Sequence, residues 1–133
     1  MSQKLPDSVQ FLIAEDVREE SGKKLSLLGV FAGDDINIEK NELGYALPSF
    51  AILILGRGAR GKFRGSLKLL SPSGKEIVVN QWDELDFSSG ANFVMPIKLV
   101  PFVINEFGPY TVSLTLSDTP YTFTFSINGK ASS

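Results

Sequence analysis

The sequence contains no histidine and no cysteine. Without histidine it lacks the usual general base near neutral pH, the Ser-His and Cys-His nucleophile systems, and the commonest metal ligand. Without cysteine it has neither a disulfide framework nor a thiolate metal site. No apolar run approaches the roughly 18 residues that a membrane helix needs. The first segment, MSQKLPDSVQFLIAEDV, also lacks a secretory pattern, because its short apolar run follows Pro6 and Asp7 and ends in acids. A formal net charge of −2 is not that of a general polyanion binder. The expectations are a cytoplasmic protein that is not an enzyme, with no cofactor, metal, membrane or nucleic-acid partner.

What the chain does have is a period of two. In PYTVSLTLS, Tyr110, Val112, Leu114 and Leu116 alternate with Thr111, Ser113, Thr115 and Ser117. After Asp118–Pro120 the pattern resumes, with Tyr121, Phe123, Phe125 and Ile127 against Thr122, Thr124 and Ser126. Two such runs joined by a polar turn read as an antiparallel hairpin with one buried face. VQFLIAEDV (9–17) and KLSLLGVF (24–31) flank a second turn, and SFAILILG (49–56) is apolar on both faces, as a covered strand is. FRGSLKLLS (63–71) and KEIVVNQ (75–81) follow. NFVMPIKLVPFVI (92–104) carries Pro96 and Pro101, so it lies at an edge, carries a bulge or crosses between sheets. Asp34 to Leu43 has room for a helical turn but no sustained apolar face.

About eight strands and no helical period predict an all-β chain. The expected form is an antiparallel two-sheet β-sandwich, immunoglobulin-like in the broad sense, with a jelly-roll or C2-like topology as the alternative. A length of 133 residues fits one domain spanning 1–133 and buries roughly two-thirds of the unfolded chain's surface.

FLIAEDVREE followed by KLSLLGVFAGD, residues 11–34, resembles the opening of a family of small uncharacterised bacterial or phage-derived all-β proteins. The resemblance implies a cytoplasmic β domain. It carries no functional residues with it.

If every strand alternates in direction, one end gathers REESGK (18–23), GRGARGK (56–62), the loop around QWDELD (81–86) and Asp118. The other end gathers AGDDINIEKNELGYA (32–46), SPSG (71–74) and NEFG (105–108). GRGARGKFRG (56–65) is then a basic hairpin loop beside Asp83, Glu84 and Asp86. Its Lys62 precedes Phe63 and a strand, not the Ser or Thr and helix of a phosphate loop. Arg57, Arg60, Lys62 and Arg64 are the candidates for an anion or partner. Glu15, on the core-side phase of its strand, is read as a structural ion-pair partner of these arginines. Asp34, Asp35, Glu39 and Glu42 do not follow the calcium-loop spacing.

Trp82 and Tyr45, placed in loops, are candidate stacking platforms for a carbohydrate or caps on the core. Leu28, Val30, Val94, Val100, Phe102 and Ile104 look apolar on a face their neighbours leave polar, which marks an interface unless a bulge returns them to the core. Phe102 joins the interface candidates on that ground. The expected function is a non-enzymatic protein-binding or assembly module, with a protein partner or homo-oligomer. The alternatives are a carbohydrate or anion module using Trp82 or the 57–64 hairpin, and a carboxylate-based hydrolase.

Overall fold

A computed structural model describes residues 3–22, 24–38, 44–87 and 92–129. Among them the strands in chain order are β1 (Ser8–Glu20), β2 (Lys24–Val30), β3 (Asp35–Asn37), β4 (Tyr45–Leu47), β5 (Phe50–Arg57), β6 (Lys62–Leu70), β7 (Glu76–Asp86), β8 (Asn92–Leu99), β9 (Phe102–Ile104), β10 (Gly108–Leu116) and β11 (Thr119–Asn128). The chain is all-β, with no helix among the described residues. One sheet has the order β2-β1-β5-β8, a second has β3-β11-β10-β6-β7, and β4 pairs with β9 alone. All pairings are antiparallel except the parallel contact of β3 with β11. Eleven strands in three sheets replace the expected eight in two, the additions being the three-residue strands β3, β4 and β9.

The two large sheets share one core. Phe50, Ile52 and Ile54 of β5 belong to the same buried cluster as Leu67, Leu69, Tyr110, Val112, Leu114, Phe125 and Ile127. The Phe50 ring centroid lies 5.4 Å from that of Phe125 and 5.0 Å from that of Phe102, and Phe11 stacks on Phe123 at 5.7 Å. The β10–β11 hairpin forms as its alternation predicts, with Leu114 opposite Tyr121 and Leu116 opposite Thr119.

Proline shapes the strand after Ala91. Pro96 sits on β8, an edge strand, where its missing N–H breaks no inner ladder. The pairing with β5 ends at Leu99, and beyond Pro101 the chain pairs with β4 instead. The side-chain phase changes across that break. Phe102 and Ile104 are therefore core residues, at 2% and 0% exposure, and not part of an exposed face.

Strict alternation of direction also fails once. Both β2 and β5 are antiparallel to β1, so they run parallel to each other. The segment between them must return along the molecule, and it contributes β3 and β4 on the way. The turn after Glu20 consequently lies at the opposite end from residues 58–61.

The β1–β2 hairpin has a further bend. Gly29, opposite Glu15, has φ +66°, and a Cβ there would lie 2.7 Å from Glu15 Cδ. Only glycine meets both conditions without strain. Beyond this point the hairpin leans over β5. Asp16 Oδ1 pairs with Lys98 Nζ of β8 at 2.8 Å although β5 separates the two strands in the ladder. Val17 and Leu25 of the hairpin line one cleft with Pro96 and Lys98. Ala14, Val17, Ala51 and Leu53 are buried but lie outside the main core cluster. They form a second, thin apolar layer under the hairpin.

Candidate functional site

The basic turn is a tight bend with a buried plug. Gly58 and Gly61 have φ of +83° and +94°, and Ala59 between them is 1% exposed. The N-terminal segment is tied to it: Lys4 and Arg60 exchange backbone hydrogen bonds of 2.8 and 2.9 Å. Lys4 Nζ pairs with Asp7 Oδ2 at 3.1 Å beside Gly58.

Three of the four expected loops meet at this end. Lys62 lies opposite Asp86 in the β6–β7 ladder, and Ser117 donates its N–H to Arg64 O at 2.7 Å. Lys62 Nζ pairs with Glu84 Oε1 at 3.0 Å, and its pKa is pushed up by that hydrogen bond and by the charges of Glu84 and Asp86. The fourth expected loop, the turn after Glu20, lies at the opposite end, and the expected ion-pair partner Glu15 is absent as well. It faces Gly29 in the hairpin that runs to the other end, so it cannot partner Arg57, Arg60 or Arg64. Among the described residues none of these three arginines, nor Glu15, makes an ion pair.

Trp82 lies in β7, not in a loop, and is half-buried against the core. A register shift between Phe63 and Gly65 marks a bulge beside it. A Cβ on Gly65 would lie 2.4 Å from Leu85 Cδ1 and 3.4 Å from Trp82 Cε3, so the glycine lets both side chains close over the backbone. A cleft of about 340 Å³ opens here, lined by Arg64, Ser66, Gln81, Trp82, Asp83 and Ser117. Arg64 and Trp82 both border it, but Arg64 is on the outward phase of β6, whereas Trp82 pairs with the inward-phase Gly65 and packs its side chain against the core. Tyr45 is also in a strand, β4, opposite Ile104 and packed against the core. Phe102 is enclosed and offers no ring to a ligand.

A cleft of about 500 Å³ at the other end is lined by Glu76, Ile77, Leu99, Val103, Asn105 and Glu106, among others. Glu106 accepts hydrogen bonds from Ser73 N at 3.0 Å and Ser73 Oγ at 2.9 Å. Hydrogen bonding from Ser71, then Ser73, holds its carboxyl below the usual range. Beneath it, the Tyr110 hydroxyl donates to Glu106 O at 2.6 Å, and burial pushes the phenol pKa up. A glycosidase-type pair needs one carboxyl kept protonated near neutrality. Glu106 is shifted the opposite way, and Glu76 pairs with Lys68 at 3.5 Å.

Leu28, Val30, Val94 and Val100 are exposed, at 40%, 49%, 48% and 63%. Leu12, at 37%, joins Leu28, Val30 and Val94 on the outer face of the four-stranded sheet, while Val100 lies beyond the end of β8. The sequence reading missed Leu12 because β1 was taken as one-sided. Asp34 and Asp35 are exposed, while Glu39 and Glu42 lie outside the described residues. Among the described residues no group of three or more acids could hold a metal ion, and no helix is long and apolar enough to cross a membrane.

No family model matches the chain, and no curated protein matches it. Among solved structures it is similar to a β-glucosidase from Listeria innocua in complex with glucose, at 12% identity and TM-score 0.40, over 92% of this chain and 16% of that one. The isofagomine complex of β-glucosidase from Listeria innocua gives 11% identity with the same score and coverage. The chain spans about a sixth of the length of these enzymes. A likeness at that level assigns no activity.

Proposed function

We propose that the chain is a single-domain, non-enzymatic binding module of immunoglobulin-like topology that works in the cytoplasm and associates through the outer face of its four-stranded sheet. The topology is supported by strand order. With β2, β3, β4 and β9 set aside, the seven remaining strands order as first-second-fifth and seventh-sixth-third-fourth. Immunoglobulin domains with a fourth strand on the GFC sheet have this order. Tyr110, near the start of the sixth strand, bonds back to the backbone four residues upstream, as in the tyrosine corner of such domains.

The functional reading rests on one observation. Leu12, Leu28 and Val30 stand on the same outer face, each more than a third exposed, beside the hairpin that covers Ala51 and Leu53. Contiguous apolar surface of this kind costs solvation unless it meets another surface. A second copy of the chain suits it. Between copies of net charge −2 there is little long-range repulsion, and β2 is an edge strand.

Light scattering over a range of concentrations tests this, with Val30→Lys as the variant. The wild type is expected to dimerise and the variant to dissociate at least about tenfold more readily, about 1.4 kcal/mol. A strict monomer, or a dimer indifferent to Val30→Lys, overturns the proposal.

A further inference from the structure

Beyond Ala14 the β1–β2 hairpin is held to the rest of the molecule by side chains and not by a sheet. The pairing of β1 with β5 ends at Ala14, and β2 pairs with β1 alone. From Asp16 opposite Leu28 to Glu20 opposite Lys24, the two strands bond only to each other. Among the described residues no backbone–backbone hydrogen bond joins this part of the hairpin to β5 or β8. Three attachments remain. The Ser49 hydroxyl donates to Glu15 O at 2.6 Å, Asp16 pairs with Lys98 at 2.8 Å, and the hairpin covers Ala51 and Leu53. Those apolar residues, with Val17, lie outside the main core cluster, so lifting the hairpin leaves that core closed. The hinge is the Glu15–Gly29 position, where Gly29 holds φ +66°.

Complementarity decides the partner. A lifted hairpin bares Val17 and Leu25 on one side and Ala51 and Leu53 on the other, and that exposure costs free energy until both are covered again. A second copy covers both at once, because its seat and its hairpin are identical to those just separated. Exchange of an identical element restores every contact of the closed chain, the Asp16–Lys98 pair included. It also does something the closed chain does not. The seat lies on the same outer face as Leu12, Leu28 and Val30, so hairpins that cross between copies draw these exposed side chains together. With the seat contacts equal in the two forms, that additional burial favours the exchanged pair as concentration rises.

We infer that two copies of the chain associate by exchanging their β1–β2 hairpins, each hairpin seating beyond its Glu15–Gly29 hinge on β5 and β8 of the other copy. The inference rests on the association proposed above and specifies how the copies are joined.

The test mixes isotope-labelled and unlabelled wild-type chains, lets them re-equilibrate, and reads contacts between unlike chains by isotope-filtered NMR. Contacts from Val17 and Leu25 to Pro96 and Lys98 are expected between differently labelled chains, which a hairpin in its own seat cannot give. Asp16→Lys and Lys98→Glu supply a second readout. Each variant alone sets like charges against each other in the seat. In an exchanged mixed dimer the reversed hairpin meets the reversed sheet and the native hairpin meets the native one, so both seats carry opposite charges. Native mass spectrometry of the mixture should show the mixed dimer favoured at least about tenfold over either homodimer. Without exchange each hairpin stays in its mismatched seat, and the variants combine in statistical proportion. A wild-type dimer whose hairpin contacts stay within one chain overturns the exchange and leaves the association standing, and statistical mixing of the variants does the same. A strict monomer overturns both.

Discussion

The outer faces of the two large sheets are built on opposite principles. On β10 and β11 the outward residues include Thr111, Ser113, Thr115, Thr122 and Thr124, and among the described residues the exposed large apolar side chains of that sheet are Ile77 and Val79 of edge strand β7. On β1, β2, β5 and β8 the outward residues include Leu12, Leu28, Val30, Ala51, Leu53 and Val94. An antiparallel sheet that faces water on one side alternates cleanly, whereas one covered on both sides is apolar throughout. The first face is finished by solvent. The second is half finished by the chain's own hairpin, which buries Ala51 and Leu53 and leaves Leu12, Leu28 and Val30 in the open.

The largest test of this contrast compares inner and outer residues of the same strand. Phe50→Ala, at a fully buried site ringed by Phe31, Phe102 and Phe125, should cost about 3–5 kcal/mol in urea unfolding. Leu53→Ala points the other way and is 6% exposed, so it should cost about 2–3 kcal/mol if the hairpin forms a true second layer. A loss below about 0.5 kcal/mol, as at an ordinary surface position, would show that the hairpin does not pack on it.

The smallest effect concerns the pair that latches the hairpin. The hydrogen bond from Lys98 holds the Asp16 carboxyl below its ordinary value. A carboxylate depressed in the folded state stabilises it above the unfolded aspartate range, near pH 4, and loses that contribution as pH falls through the lower folded value. Acid titration followed by NMR should therefore shift the Val17 and Leu25 signals while Val112 and Leu114 in the core stay fixed. In Lys98→Met the hairpin signals should sit near their released positions at every pH, with the acid step removed. An unchanged step in that variant would break the link between the ion pair and the hairpin.

Much of this was legible in the residues. The β10–β11 hairpin follows from unbroken alternation, and the edge position of Pro96 follows from its missing N–H. The approach of Lys62 to Glu84 follows from counting strand reversals. Phe102 was misplaced because phase cannot be carried through Pro101, where the pairing partner changes from β5 to β4. Glu15 was misplaced because the count of reversals assumed that the 31–49 segment joins neighbours head to tail. It instead returns along the molecule, which sends the Glu15 hairpin to the far end. Trp82 was read as a loop residue because β7 runs on through five polar or charged positions after Val79, a pattern with little strand signal of its own.

By itself the sequence determined the class of the chain and the inner faces of strands whose alternation is unbroken, such as β10 and β11, because alternation of side chains along a strand is a local property of the backbone. It also determined which chemistries are missing, since residue types do not depend on folding. Only the tertiary structure decided how the strands pair, where the hairpin folds back, and that Trp82 and Phe102 pack against the core. Those facts depend on contacts between segments distant in the chain, and such contacts are selected by packing and hydrogen bonding across the whole molecule. No local pattern encodes them.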